Sequence, residues 1–214
     1  MTPTLTAFER SPDGGLGLAR DTRVRWALEE AGQACVVRFV SFRALKEPAH
    51  LALHPFGRIP TWEEGDLVLF ESGAIVLHLG QRSEVLLPGD PRARARAIQW
   101  MVAALNSIEP FVVNAALIDT FYADQEWAKL RRQGAREFAQ RRLTGLALAL
   151  GDKPYLDGDR FTAGDLIMTT VLRIMPDLIE DRRLSDYVDR CTFRPAFRRA
   201  LEAQLSDFCE DEAA

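Results

Sequence analysis

Two short strands and a helix follow one another within residues 54–79, and this order limits the folds open to the chain more than any other feature. The strands are predicted at Pro60–Glu63 and Leu67–Phe70, and Gly65-Asp66 between them is typical of a two-residue hairpin turn. The apolar run Gly73–Leu79 follows at once and favours a buried helix. The stretch therefore predicts a hairpin at one side of a sheet, with a helix directly after it.

The dipeptide Ile59-Pro60 begins the first of these strands. Proline lacks a backbone N–H, which suits a strand start or the edge of a sheet. If the Ile59-Pro60 bond is cis, the N–H and C=O of Ile59 turn outward and can pair with an extended peptide. A plain turn proline is the simpler interpretation, and the residues alone favour it because most X–Pro bonds are trans.

The pair Glu71-Ser72 stands at the predicted start of the helix. Serine is a good N-cap, and a helix N-terminus offers free N–H groups and a positive dipole end to a carboxylate. Glu71 beside it can hold an ammonium group. The pair would therefore grip an amino-acid head group, although a capping serine and a solvated glutamate explain it more simply when it is taken alone.

The composition is that of a globular protein, since 47% of the 214 residues are hydrophobic and 27% are charged. This length suits one large domain or two small ones. The net charge of −4 is mild, and arginine clusters such as Arg92–Arg96 have no interleaved aromatic residues. We interpret these clusters as solvated helix faces and expect no nucleic-acid partner.

The three cysteines, Cys35, Cys191 and Cys209, have no CxxC spacing, which favours a reducing, intracellular setting. Residues 1–7 are too polar for a secretion signal, and no apolar run is expected to be long enough to span a membrane. The cysteines and histidines are scattered and form no metal-ligand pattern. The sequence predicts a cytoplasmic protein with no membrane partner and no metal.

Residues 1–85 alternate between strand and helix patterns in the order βαβαββα. This order, with one parallel crossover and one hairpin, predicts a thioredoxin-like α/β domain. The pieces are a strand at Thr4–Phe8, a helix at Asp21–Gly32, a strand at Cys35–Val40, a short helix within 42–52, and the hairpin and helix of 59–80.

Residues 86–91 are predicted to be a linker, and residues 92–214 an all-helical domain. Its helices are expected at 92–119, with a bend near Pro110, then at 125–150, from 161 onward, at 184–190 and at 195–206. Thr162 and Asp165 have the spacing of a capping box, and Phe161 is placed to pack on Leu166 as a hydrophobic staple. These last features are structural.

The chain resembles the cytosolic glutathione S-transferase superfamily over nearly its whole length. The resemblance is carried by Ile59-Pro60 with His54–Arg58 before it, by Glu71-Ser72, and by Thr162 with Asp165. It implies a thioredoxin-like domain with a cis proline at Pro60, followed by a helical domain. It also implies a homodimer in which domains of different subunits pack together.

The resemblance implies glutathione as the co-substrate and places its binding residues. Glu71 and Ser72 would hold the γ-glutamyl end of glutathione, and Ile59-Pro60 would present backbone groups to the tripeptide. Arg58 would meet a carboxylate of the tripeptide, and Lys46 would reach its glycine end. Each of these two residue types is more often an ordinary surface charge than a ligand contact.

The group that activates the glutathione sulfur is not evident from the sequence. The family commonly uses a Tyr, Ser or Cys after the first strand or at the start of the first helix, where this chain has Leu18, Ala19 and Arg20. Ser11 carries the hydroxyl nearest to the end of the first strand. Its sequence Ser-Pro-Asp-Gly is also that of an ordinary turn, which would explain the serine without a catalytic role. Arg20 is a rival because a guanidinium lowers the pKa of a nearby thiol, and Thr22 is a third candidate. Backbone N–H groups of the glycine loop are a further alternative.

The resemblance predicts a glutathione transferase that joins the glutathione thiolate to a small hydrophobic electrophile, as in detoxification. Reduction of peroxides and removal of a halide are related chemistries. The alternative is a glutathione-binding or protein-interaction module with the same fold and no turnover. A glutaredoxin-like reductase is disfavoured, because it needs a cysteine at the start of the first helix and the first cysteine here is Cys35.

Overall fold

A four-stranded mixed sheet organises the first part of the structure, a computed structural model that describes residues 2–10 and 17–207. The strands are β1 (Thr4–Phe8), β2 (Val36–Val40), β3 (Thr61–Glu64) and β4 (Leu67–Phe70). Their spatial order is β2-β1-β3-β4, with β1 parallel to β2 and antiparallel to β3, and β3 antiparallel to β4. The sheet therefore combines one parallel crossover with one hairpin, as predicted.

Among the described residues before position 81, three α-helices accompany the sheet. α1 (Asp21–Ala31) makes the crossover from β1 to β2, α2 (Pro48–Leu53) precedes β3, and α3 (Ser72–Gly80) follows β4. α1 ends at Gly32, whose φ of 62° is the left-handed conformation that favours glycine at a helix end. The predicted thioredoxin-like order βαβαββα is confirmed.

Large apolar side chains form the core beneath α1 and α3. Trp26 from α1, Trp62 from β3 and Ile75 from α3 are fully buried, and α1 and α3 also contact each other. Burying side chains of this size stabilises the fold by about 2 kcal/mol each. The core therefore fixes the starts of α1 and α3 against the sheet, and both starts matter for the site described below.

The rest of the chain is helical, and the predicted all-α region after the thioredoxin-like part is confirmed. Its helices are α4 (Pro91–Val102), α5 (Glu109–Thr120), α6 (Glu126–Leu150), α7 (Ala163–Leu172), α8 (Arg182–Thr192) and α9 (Pro195–Ser206).

A π-helical stretch, Ala103–Ile108, joins α4 to α5. Pro110 follows it and has no N–H to donate to the carbonyl of Asn106, so the regular hydrogen-bond ladder cannot run through this point. The π-helical stretch lies in the turns directly before Pro110, and the bend that the sequence predicts near this proline stays a prediction.

The continuous helical stretch Pro91–Thr120 is long and apolar enough to cross a membrane by length and composition alone. This corrects the expectation that no apolar run reaches that length. Core helices of water-soluble proteins pass the same test, and here α4 packs against α7 while α5 packs against α6. The stretch is therefore accounted for as a core helix of the helical region.

The predicted capping box at the start of α7 is confirmed. The Thr162 N–H donates to Asp165 Oδ2 at 2.9 Å, and Gly164 N–H donates to Thr162 Oγ1 at 3.2 Å. Asp165 Oδ1 also accepts from Leu156 N–H and from the Tyr187 hydroxyl, at 2.8 and 3.1 Å. Burial raises the pKa of Asp165, and these hydrogen bonds oppose the rise. The Asp165 carboxyl group therefore stabilises the start of α7 and the loop that precedes it.

The chain divides by packing into two units, Met1–Leu87 with Arg194–Ala214 and Pro88–Phe193. α9 belongs to the first unit, because Phe197 packs edge-on against Trp26, with ring centroids 4.8 Å apart. The sequence predicts a first domain at 1–85, a linker at 86–91 and a helical domain at 92–214, and therefore places α9 in the helical domain. This division stays a prediction.

Candidate functional site

The loop that leads into β3 is held in place by two buried histidines. His50 Nε2–H donates to the Arg58 carbonyl at 2.8 Å, and Phe56 N–H donates to His54 Nδ1 at 3.3 Å. Burial lowers the pKa of His54, which favours the neutral ring that this acceptor role requires. The histidines therefore fix the backbone that enters Ile59.

Gly57 is the second constraint on this loop. Its φ is 58°, and a Cβ at this position would lie 2.8 Å from the Leu45 carbonyl oxygen. Any other residue would have to adopt the left-handed conformation and also push that backbone away. The loop conformation therefore requires glycine.

The Ile59-Pro60 peptide bond is cis. The Ile59 side chain is buried, with 6% of its surface exposed. Within residues 2–10 and 17–207, neither the N–H nor the carbonyl of Ile59 has a hydrogen-bond partner. An extended peptide lying beside Ile59 would find one donor and one acceptor there.

The start of α3 has an unusual backbone. Glu71 has φ 70° and ψ 115°, and it is the one non-glycine residue with positive φ in the described part of the chain. Such a conformation is strained for a residue with a Cβ, and it occurs preferentially at functional sites. Glu71 is exposed, whereas Ser72 is buried at 3% exposure.

The predicted role of Ser72 as the N-cap is corrected by the structure. Glu71 is the N-cap, without a side-chain capping bond, and Ser72 is the first helical residue. The first amide bonded within the helix is that of Ile75, which donates to the Glu71 carbonyl at 3.1 Å. Among the described residues, the N–H groups of Ser72, Gly73 and Ala74 have no acceptor, so this end of α3 can receive an anion.

Contacts bring the loop before β3 close to this helix start. The ring centroid of His54 lies 5.0 Å from that of Phe70, the residue directly before Glu71. The Glu71 carboxylate also acts electrostatically on His54, opposing the lowering of its pKa. Thr61, directly after Pro60, pairs with Phe70, directly before Glu71. The predicted residues Ile59, Pro60, Glu71 and Ser72 therefore lie in one neighbourhood. Arg58 and Lys46 are exposed.

Arg23 on α1 is a residue of this neighbourhood that the sequence analysis did not identify. It is buried at 3% exposure, and its Nη1 donates to Ser72 Oγ at 3.2 Å. Helical periodicity gives no signal for it, because every residue of α1 from Asp21 to Leu28 is buried. Its partner also lies 49 positions away in the sequence.

The candidates for activating the sulfur lie around the start of α1. Arg20 is the half-buried N-cap residue of that helix. Thr22 is fully buried, and its hydroxyl donates to Gln204 Oε1 at 2.6 Å, so its one proton is committed within the protein. Ser11 lies outside the described residues. No group of three or more His, Cys, Asp or Glu side chains in the described ranges is arranged to hold a metal ion.

Comparison with known proteins agrees with this geometry. Residues 14–81 match the family model of the glutathione S-transferase N-terminal domain. The chain is 32% identical to glutathione S-transferase 1 of Zea mays over 160 residues, which are 68% of this chain and 71% of that protein. It is 30% identical to glutathione S-transferase F14 of Arabidopsis thaliana, over 70% of this chain and 65% of that protein. The chain therefore belongs to the glutathione S-transferase family.

A solved structure extends the likeness to the whole fold. The theta class glutathione S-transferase of Xanthomonas axonopodis pv. citri, determined with glutathione bound, is 27% identical and superposes with a TM-score of 0.78. The match covers 94% of this chain and 97% of that one. The fold predicted from the sequence and the family it resembles are thus both established.

Proposed function

We propose that this protein is a glutathione transferase that conjugates the glutathione thiolate to a small hydrophobic electrophile. The proposal rests on one arrangement, the uncapped start of α3 beside the unpaired backbone of Ile59. The start of α3 would bind the charged head group of a γ-glutamyl-cysteinyl peptide, and Ile59 would bind its peptide backbone.

The α-carboxylate of the γ-glutamyl group would accept hydrogen bonds from the first amides of α3 and from the Ser72 hydroxyl. The positive end of the helix dipole favours this charge. The exposed carboxylate of Glu71 would pair with the ammonium group beside it. The start of α3 and Glu71 would together bind the carboxylate and the ammonium of the amino-acid head group.

The peptide part of glutathione would lie along Ile59-Pro60. The Ile59 N–H and carbonyl would pair with the cysteinyl backbone in the manner of an added strand. Arg58 and Lys46, both exposed, would attract the glycine carboxylate. These cations would contribute modestly because water screens them.

The chemical step would need the thiol to lose its proton before it attacks. The free thiol has a pKa of about 8.5, so a hydrogen-bond donor or a positive charge near the sulfur would favour the thiolate. We assign this role to the Ser11 hydroxyl or the Arg20 guanidinium. The thiolate would then form a bond to an electrophilic carbon, and a leaving group such as halide would depart with its electron pair.

A generic aryl halide, chlorodinitrobenzene, tests this function. The expected result is glutathione-dependent release of chloride and appearance of the thioether, with the protein retained on immobilised glutathione. Retention without conjugation would overturn the transferase activity and leave the non-catalytic glutathione-binding module. Failure to be retained would overturn glutathione binding as well.

We also propose a cytoplasmic homodimer. Each packing unit exposes apolar surface, represented by Phe56 at 68% exposure in the first unit and by Leu130 at 86% in the second. Leu130, Phe111 and Phe138 line a groove of about 380 Å³ between α5 and α6. Exposed aromatic residues and an apolar groove on one chain are what two copies would use to pair with each other.

A further inference from the structure

The helix α9 packs along α1 within the first packing unit and is bonded to it at both ends. At the C-terminal end of α1, the Arg194 guanidinium of α9 donates to both carboxylate oxygens of Glu30, at 2.6 and 2.7 Å. At the N-terminal end, Gln204 of α9 bonds to the first turn of α1, where its partners include Thr22. Each end of this helix pair can therefore be altered without the other.

The side-chain amide of Gln204 bonds to groups on both sides of Arg20. Its Oε1 accepts from the Thr22 hydroxyl at 2.6 Å. Its Nε2 donates to Asp21 Oδ1 at 2.8 Å and, more weakly, to the Ala19 carbonyl at 3.4 Å. Gln204 has 0% of its surface exposed and Thr22 has 1%. One buried amide thus ties the residues that flank Arg20 to α9.

The orientation of the Gln204 amide is fixed by its partners. The Ala19 carbonyl only accepts, and so does the Asp21 carboxylate, whose charge Arg25 compensates with a bond from Nε at 2.8 Å. The NH₂ group must therefore face these two acceptors, and the amide oxygen must face Thr22. Burial raises the pKa of Asp21, and the Arg25 charge and the Gln204 hydrogen bond oppose that rise. Reversing the amide would set two acceptors against each other, so it has one stable position.

We propose that Gln204 is a positioning residue for activation of the glutathione sulfur. By holding the residues on both sides of Arg20, it would fix the first turn of α1 and the place from which the Arg20 guanidinium acts on the sulfur. Position matters because the interaction between two charges falls with distance and with exposure to water. Gln204 is fully buried, so it acts through α1 and does not touch the ligand. The inference rests on the proposed function and, of the two groups proposed there for activation, commits to Arg20.

A purely structural role for Gln204, as one of the bonds that hold α9 on α1, makes a different prediction. Loss of α9 packing at either end of α1 would then lower stability and disturb the site in the same way. Loss of a positioning residue would change the pKa of the bound thiol only when the bonds beside Arg20 are removed. Arg194→Met is therefore the matched control, because its partner Glu30 lies in the last turn of α1.

The test measures the pKa of the glutathione thiol bound to the protein, from the ultraviolet absorbance of the thiolate as the pH is raised. For Gln204→Leu we expect a thiol pKa about one unit above that of wild type, and kcat/KM for chlorodinitrobenzene about 10-fold lower at pH values below that pKa. At high pH, where the thiol is fully ionised, kcat/KM should equal that of wild type. The dissociation constant of glutathione should change less than about 2-fold. Arg194→Met should lower the unfolding temperature and leave the thiol pKa at its wild-type value.

A double-mutant cycle tests the route through Arg20. Arg20→Met alone should raise the thiol pKa. Adding Gln204→Leu to it should raise the pKa no further, because positioning a group that has been removed has no effect. No rise with Arg20→Met, or a further rise in the double variant as large as that of Gln204→Leu alone, would overturn the inference.

The outcomes also separate this inference from the proposed function. Wild-type protein that does not bind glutathione, or binds it with the thiol pKa of free glutathione, overturns the proposed activation and the inference with it. A lowered thiol pKa in wild type that Gln204→Leu leaves unchanged, or that Arg194→Met raises equally, overturns the inference alone. If Gln204→Leu does not fold, as shown by circular dichroism, Gln204→Asn decides, because its shorter amide cannot reach all the partners of Gln204. A raised thiol pKa in Gln204→Asn supports the positioning role, and the wild-type value overturns it.

Discussion

The Thr22 hydroxyl on α1 donates a 2.6 Å hydrogen bond to the side-chain carbonyl of Gln204 on α9. The amide nitrogen of Gln204 in turn donates to Asp21 Oδ1 at 2.8 Å, and Gln204 has no exposed surface. The last helix of the first packing unit is thereby bonded to the first turn of α1, next to Arg20.

Replacing Gln204 with leucine should destabilise the first packing unit. The change keeps the volume roughly constant but removes the Gln204 hydrogen bonds to the Thr22 hydroxyl and to Asp21 Oδ1, which costs about 1–3 kcal/mol. Urea denaturation followed by circular dichroism measures the effect. Gln133→Leu is the control, because the side chain of Gln133 is exposed and its partner is the exposed Glu137 one turn along the same helix, so a change below about 0.5 kcal/mol is expected. Equal stabilities of the two variants would contradict the buried network.

Gly57→Ala should disturb the loop before Ile59. The positive φ of 58° and the contact at 2.8 Å with the Leu45 carbonyl both oppose a Cβ, and the expected loss is about 1–3 kcal/mol. Gly145→Ala is the control, since this helical position has nothing within 4 Å and alanine there should stabilise by about 0.5–1 kcal/mol. Thermal unfolding compares the two. Opposite signs are predicted, and a stabilising Gly57→Ala would show that the loop conformation is different.

Glu64 should contribute an acid-sensitive part of the stability. Hydrogen bonds from Arg82 and His78 hold the pKa of Glu64 at about 2, below its usual value of 4.5. A carboxylate whose pKa is depressed by folding stabilises the protein above pH 4.5 and loses that contribution as the pH falls towards 2. Because these side chains are partly exposed, the interactions of Glu64 with Arg82 and His78 should contribute about 1 kcal/mol to the free energy of unfolding. The difference in unfolding free energy between wild type and Glu64→Gln should therefore shrink across this range, and a constant difference would refute the assignment.

Leu130→Gln should weaken the proposed homodimer. Leu130 lines the groove between α5 and α6, and a polar amide there would have to be desolvated when the partner covers it. Leu148→Gln is the control, because Leu148 lies on the same helix with 68% of its surface exposed and does not line the groove. Analytical ultracentrifugation should show a raised dimer dissociation constant for Leu130→Gln alone. A monomeric wild type would contradict the proposal outright.

The features that sequence analysis found are local in the chain. The hairpin at Gly65-Asp66, the capping box of Thr162 and the pair Glu71-Ser72 each lie within a few residues, so spacing alone indicates them. The N-cap position was wrong by one residue, because Glu71 adopts a positive φ that no propensity predicts for glutamate.

The features that sequence analysis missed depend on distant parts of the chain. Arg23 meets Ser72 across 49 positions, and Thr22 meets Gln204 across 182. Every residue of α1 from Asp21 to Leu28 is buried, so helical periodicity distinguishes neither Thr22 nor Arg23 from its neighbours. Assignment of the activating group to Ser11 or Arg20 stays a prediction.

Calorimetric titration of glutathione into wild type and Glu71→Gln tests the central claim most directly. The claim is that the start of α3 holds the charged head group, with Glu71 receiving its ammonium. Glu71→Gln should raise the dissociation constant about 10-fold, since a charge-assisted hydrogen bond is lost. Asp66→Asn, the same charge change at the exposed hairpin turn, should leave it unaltered. Equal affinities of wild type and Glu71→Gln would contradict the account.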